Sequence, residues 1–229
     1  MSRFIFFLAV VLPALILILQ IGAERALSYP QKEWLLSENG PHEFAQFLVL
    51  MGGAIVAAST LIRMDRRRDR MLTFWIGLAL VCCLYVGGEE ISWGQHIFFW
   101  ETPETWAQVN DQNETNLHNT SAWFDQKPRL ILEIGVILGG IILPLVRRFA
   151  PSRLPARFEM FYPTNILIPL AVIATLVKQT QSIAEGLDLG HPFHRVSEVQ
   201  ELFFFLFVWV YLLVLKTRIA DRDVGMTNR

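Results

Sequence analysis

The sequence predicts an all-α fold, a polytopic bundle of about six transmembrane helices forming a single domain over residues 1–229. Three observations predict it. Hydrophobic residues make up 53% of the chain and mean hydropathy is +0.38, above the usual range for a water-soluble domain. The apolar residues gather in runs long enough to cross a hydrocarbon core about 30 Å thick. Lys and Arg, finally, are distributed unequally between alternate loops, as the positive-inside rule requires of a multi-pass protein.

The first run, residues 4–23, has spanning length and lacks a small-x-small cleavage pattern, so it is expected to be retained as a helix rather than removed as a signal peptide. Pro13 is tolerable there because neighbouring helices can satisfy the freed carbonyl. A second span, 44–62, is introduced by Asn39-Gly40-Pro41, a turn with proline at a first helical position. The third, 72–100, would be ~43 Å long as one helix. It must tilt, protrude or break, and Gly87-Gly88 is the expected break. Spans at 130–146, 162–183 and 199–215 follow, the last preceded by Ser197 with Gln200 three residues on, a capping-box pattern. Loop 101–129 contains Thr102-Pro103-Glu104, a cap, a first-position proline and a first-turn acid, and predicts a short interfacial helix carrying Trp106.

One set of loops carries Arg3, Arg63, the Arg66-Arg67-Arg68 run, Arg147, Arg148 and Arg218 among fourteen Lys and Arg, and the other carries five, Arg25, Lys32, Lys127, Arg129 and Arg195. Both termini are therefore expected in the cytoplasm. The near-neutral balance of 20 basic and 21 acidic residues, with no basic stripe, argues against a nucleic-acid partner. Cys82 and Cys83 are adjacent in an apolar run and predict no disulfide framework.

The chemistry-bearing residues collect at the outer ends of the helices. Gly87-Gly88-Glu89-Glu90-Ile91-Ser92-Trp93-Gly94-Gln95-His96 places two carboxylates, a hydroxyl, an amide and an imidazole in an apolar setting, where ionisable groups are expensive and functional by default. On a continuous helix Glu89, Ser92 and His96 would share one face and Glu90 would point to another. Glu89, Glu90, Ser92 and His118 are the catalytic candidates. Glu89, Glu90, His118, His194, Glu198 and Glu201 form the candidate ligand set for a divalent metal such as zinc, because imidazole and carboxylate suit that ion. The competing reading of Glu198 and Glu201 is stabilisation of a helix N-terminus. Glu43, Gln95, His96, Asn116, Asn119 and Lys178 are candidate substrate or structural residues, with Glu89, Glu90 or Glu201 the expected partner of the lysine.

Three blocks, Glu38-Asn39-Gly40-Pro41-His42-Glu43-Phe44, Gly88 to His96 followed by Glu101-Thr102-Pro103-Glu104, and Asn116-Leu117-His118-Asn119, resemble a family of uncharacterised bacterial multi-pass membrane proteins. The family pattern has aspartate where Asn39 stands and arginine where His96 stands, which weighs against His96 as a required ligand. The resemblance implies a bacterial inner-membrane location and no particular reaction. A looser analogy is to membrane hydrolases of the alkaline-ceramidase type, although the histidine pair those carry on one helix is missing here.

The expected function is thus a metal-assisted hydrolase or transferase acting at the outer face on a lipid or lipid-linked group, with membrane lipids as partners. A carrier or proton-coupled module, with Glu89, Glu90 and Lys178 as a relay, is the second reading. An assembly or scaffold protein knitted by its polar groups is the third.

Overall fold

The computed structural model describes residues 2–37, 40–110, 114–117 and 120–227, without the side chains at positions 96, 122, 124, 125, 226 and 227. Among the described residues six helices are long and apolar enough to cross a membrane, the architecture of a multi-pass membrane protein. They are α1 (Arg3–Ala26), α3 (Pro41–Arg63, after the short α2, Tyr29–Leu36), α4 (Arg70–Glu90), α5 (Gln126–Phe149), α6 (Ile168–Gly186) and α7 (Val196–Thr227).

Local chemistry explains several boundaries. Pro41 sits in the first turn of α3, as its sequence predicts. The sequence reading missed α2, whose start is a capping box: Gln31 Oε1 accepts from the Ser28 backbone N–H at 2.9 Å, and the Ser28 side chain takes the third-position N–H. In α1 and α5 the backbone widens into a π-turn, at Phe7–Val11 and Ile137–Ile142. Each widened turn precedes a proline, Pro13 or Pro144, and takes in the carbonyl four residues back that the ring would otherwise strike.

Three expectations are corrected. The break in the third span falls at Ser92-Trp93-Gly94, where φ is +47°, +56° and +91°, and the Gly87-Gly88 pair stays helical. Those glycines serve close approach instead. A Cβ on Gly87 would lie 2.6 Å from the end of Met51 of α3, and one on Gly88 would lie 2.7 Å from the Trp93 ring. Helix α7 starts at Val196, so Ser197 lies inside its first turn rather than capping it. Pro103, not Thr102, stands before the short turn Glu104–Ala107, because the Thr102 hydroxyl accepts from Gln95 Nε2 at 2.7 Å.

Helix α7 is the central post: it is the most deeply buried of the six, and Phe203, Phe204, Leu206 and Val210 on it are fully enclosed. An apolar surface all round suits that position. One side of the post is packed by α3, which in turn carries α4; the other is packed by α6, which carries α5. Small residues bring the neighbours together, as at Gly140 of α5, whose ideal Cβ would come within 2.4 Å of Ala171 of α6. Because α4 leans on α3 and α5 on α6, α4 and α5 face each other across a cleft floored by α7. Cys83 is buried, Cys82 is exposed, and neither forms a disulfide.

Candidate functional site

The polar groups at the acidic end of the bundle sort into a cap and a cleft. The cap is built on the chain reversal after α4. Two left-handed residues, Ser92 and Trp93, turn the backbone so that Ser92 leaves the helix surface it would otherwise share with Glu89. Glu89, 4% exposed, then accepts from Trp93 Nε1 at 2.8 Å and from the Leu117 backbone N–H at 2.6 Å. Ser92 Oγ donates to Glu114 at 2.7 Å and accepts from Asn116 Nδ2 at 3.0 Å. Asn116 Nδ2 also reaches Glu114 at 2.7 Å, while Asn110 Nδ2 donates to the Asn116 side chain at 2.9 Å. Gln95 completes the weave: its Oε1 accepts from both the backbone and the hydroxyl of Thr115 at 2.7 Å.

This cap answers the chemistry of burial. Asn110, Glu114 and Asn116 are 1–4% exposed, and buried polar atoms of this kind are tolerated only when paired. The satisfied network fixes one loop conformation. Glu89, Ser92, Gln95 and Asn116 are thereby members of the cap's hydrogen-bond network, and Glu89 also lines the neighbouring cleft. His118 and Asn119 lie outside the described residues, as does the His96 side chain.

The cleft has a volume of about 1530 Å³. Its walls are Phe74, Leu78 and Val86 of α4 against Ile131, Leu132 and Gly135 of α5, and its floor includes Phe205, Val208 and Tyr211 of α7. Toward the arginine end of the bundle its wall includes a short chain in which Trp75 Nε1 donates to Tyr211 Oη at 3.0 Å and that hydroxyl donates to the Phe161 carbonyl at 3.0 Å. From Met71 to Glu90 the trough follows α4 for about 28 Å. Its acidic end holds Glu43, Glu89, Glu90, Glu198, Glu201 and Arg129 together.

Glu90 is the exceptional member of that group. Its charged neighbours are Glu201, Glu198, Glu43 and Arg129, and it makes no hydrogen bond with any described residue. Glu201 is ion-paired with Arg129. Glu198 offers its backbone carbonyl, which accepts from His42 Nε2 and Gln46 Nε2, each at 3.0 Å, and so ties the start of α7 to α3. Glu89 and Glu90 both line the cleft, but adjacent helical residues point about 100° apart, and it is Glu89 that also holds the cap.

The remaining predicted residues go elsewhere. His194 lines the cleft mouth, but its Nε2 pairs with Glu33 of α2 and its backbone N–H donates to Glu24 of α1 at 3.1 Å. Lys178 pairs with Glu133 of α5 at 2.9 Å, not with Glu89, Glu90 or Glu201 as expected, because α6 packs against α5. Among the described residues no three His, Cys, Asp or Glu side chains gather in an arrangement able to hold a metal ion. Three contributors escaped the sequence reading. Arg129 was counted only as a loop charge, although an arginine directly before an apolar run was a usable signal. Asn110 and Glu114 flank the Asn116 block, and their polarity within the long loop was the other.

Comparison of the chain with protein-family models, with curated proteins and with solved structures gives no match.

Proposed function

We propose that this multi-pass protein resides in a bacterial inner membrane, with the acidic end outward, and acts on the head group of a lipid or lipid-linked substrate held in the α4–α5 cleft. The observation that carries this reading is that one cleft combines a long apolar trough with an end bearing an unbonded carboxylate beside an arginine. The trough suits an acyl or prenyl chain, which finds in its apolar walls the same kind of surroundings as in the bilayer. The inner-membrane setting rests on the excess of arginine in alternate loops and on the likeness to the bacterial family.

The reaction class follows from the head-group end. Glu90 is the acid/base group: it sits at the cleft surface and can take a proton from a water or substrate hydroxyl as that oxygen attacks. Arg129, paired with Glu201 and lining the same end of the cleft, supplies the positive charge beside the phosphate or carbonyl oxygen on which negative charge develops. The activity is therefore hydrolysis or group transfer. Glu89, Ser92, Gln95 and Asn116 act at one remove, by holding the loop that bounds the site. The carrier reading is not favoured. It needs Lys178 in a relay with Glu89 and Glu90, whereas Lys178 pairs with Glu133 and does not line the cleft.

The test is turnover of radiolabelled total bacterial lipid extract in proteoliposomes, with head-group release resolved by chromatography. Glu90→Gln is expected to lower turnover by 10²-fold or more, the usual weight of a general acid/base. Arg129→Gln should lower it similarly. A Glu90→Gln protein that processes the same lipid at the wild-type rate would overturn the assignment.

A further inference from the structure

At the opposite end of the bundle a second cavity, of about 670 Å³, opens where four segments meet. Ser2 and Ile5 come from the start of α1, and Arg147 and Arg148 from the last turn of α5. Thr164, Asn165 and Ile166 precede α6, and Thr217, Arg218 and Asp221 come from α7. Three guanidinium groups thus face one carboxylate. The wall is rich in hydroxyl and amide groups, and its apolar part is Ile5, Ile166 and Val214.

These groups are not equally engaged. Arg218 is locked in place, donating to the carbonyls of Glu159 at 2.8 Å, Met160 at 3.2 Å and Tyr162 at 2.7 Å. Arg147 reaches Glu159 through one Nη at 2.9 Å. Arg148 has no ion pair or hydrogen bond with a described residue and rests only over the Phe149 ring, 5.8 Å from its centroid. Thr164 lines the cavity too, but its Oγ1 is buried behind the wall, with no hydrogen-bond partner among the described residues.

We propose that this cavity binds a phosphate ester, with Arg148 and Arg147 as the charge-bearing contacts and Arg218 as a fixed positive wall. Guanidinium groups suit phosphate because their planar N–H pairs match its oxygens. Asp221 and Asn165 are placed to accept from and donate to hydroxyls on the ester's alcohol portion. The ester is supplied either by the head group of an anionic phospholipid, whose first methylenes would rest on Ile5, Ile166 and Val214, or by a soluble phosphate. Basic pockets between helices at the cytoplasmic face commonly take anionic lipid head groups. The site is separate from the α4–α5 cleft and does not depend on the function assigned to that cleft.

The experiment measures the thermal unfolding midpoint of the full chain in an uncharged maltoside detergent. Three probes are added: dioctanoyl phosphatidylglycerol, dioctanoylglycerol, which lacks the phosphate, and sodium phosphate matched in ionic strength by sodium chloride. Saturating phosphatidylglycerol is expected to raise the wild-type midpoint by on the order of 5 °C. Dioctanoylglycerol should not. Arg148→Gln should lose half or more of the shift, and it should fold, since it removes no hydrogen bond to a described residue. Arg66→Gln removes the same charge outside the cavity and should keep the full shift. If sodium phosphate reproduces the shift, the source is soluble; if only the lipid does, it is the head group. An equal shift with dioctanoylglycerol, or an unchanged shift in Arg148→Gln, would overturn the proposal.

Discussion

Replacing Glu89 by alanine removes the acceptor of two hydrogen bonds that cross the cap, one from Trp93 Nε1 at 2.8 Å and one from the Leu117 N–H at 2.6 Å. Each is a bond to a charged group, worth about 1.5–3 kcal/mol. Their sum has a lower bound near 3 kcal/mol, and water entering the vacated space recovers part of any excess. The Leu117 bond ties the far side of the loop to α4, so the loss appears as local opening of residues 92–117 rather than as unfolding of the bundle. A cost of about 3 kcal/mol is roughly a hundredfold change in the opening equilibrium. Hydrogen exchange followed by mass spectrometry on detergent-purified protein reads it directly. Peptides from 92–117 should exchange about a hundredfold faster in Glu89→Ala, while those from the middle of α7 stay at the wild-type rate. Glu89→Gln keeps one acceptor oxygen and should fall between. Unchanged protection of 92–117 in Glu89→Ala would refute the assignment of Glu89 to the cap.

Glu90→Gln should leave the unfolding midpoint unchanged or slightly raised, because it removes a negative charge that faces Glu43, Glu198 and Glu201 and breaks no hydrogen bond; a fall of several degrees would show that Glu90 is structural. Gly140→Ala should cost about 1–3 kcal/mol, since its Cβ meets Ala171 at 2.4 Å and the Phe207 ring at 2.6 Å. Gly22→Ala, with nothing within 4 Å, should be neutral or mildly stabilising, and comparison of the two midpoints checks the α5–α6 approach. Metal content by mass spectrometry on protein purified without chelators separates two versions of the chemistry. Glu90 acting as acid/base requires no stoichiometric ion, whereas near one zinc per chain, lost in Glu90→Gln, would replace that version with a metal-assisted one.

The number of spanning helices and the separation of arginine from acid were determined by the sequence alone, because both rest on one-dimensional quantities. Apolar run length and loop charge need no knowledge of neighbours. The importance of the Gly88 to His96 block was legible for the same reason: polar groups beside an apolar helix are costly wherever they sit. What each of them does was decided by tertiary structure. The left-handed turn at Ser92-Trp93 cannot be inferred from a helical period, and it sends Ser92 to Glu114 instead of along Glu89. Lys178 could have met any of several carboxylates, and only the packing of α6 on α5 selected Glu133. The cleft itself exists because α4 leans on α3 and α5 on α6. That order around α7 leaves no mark on helices apolar on every side, whose surfaces carry no periodic signal of which face meets which neighbour.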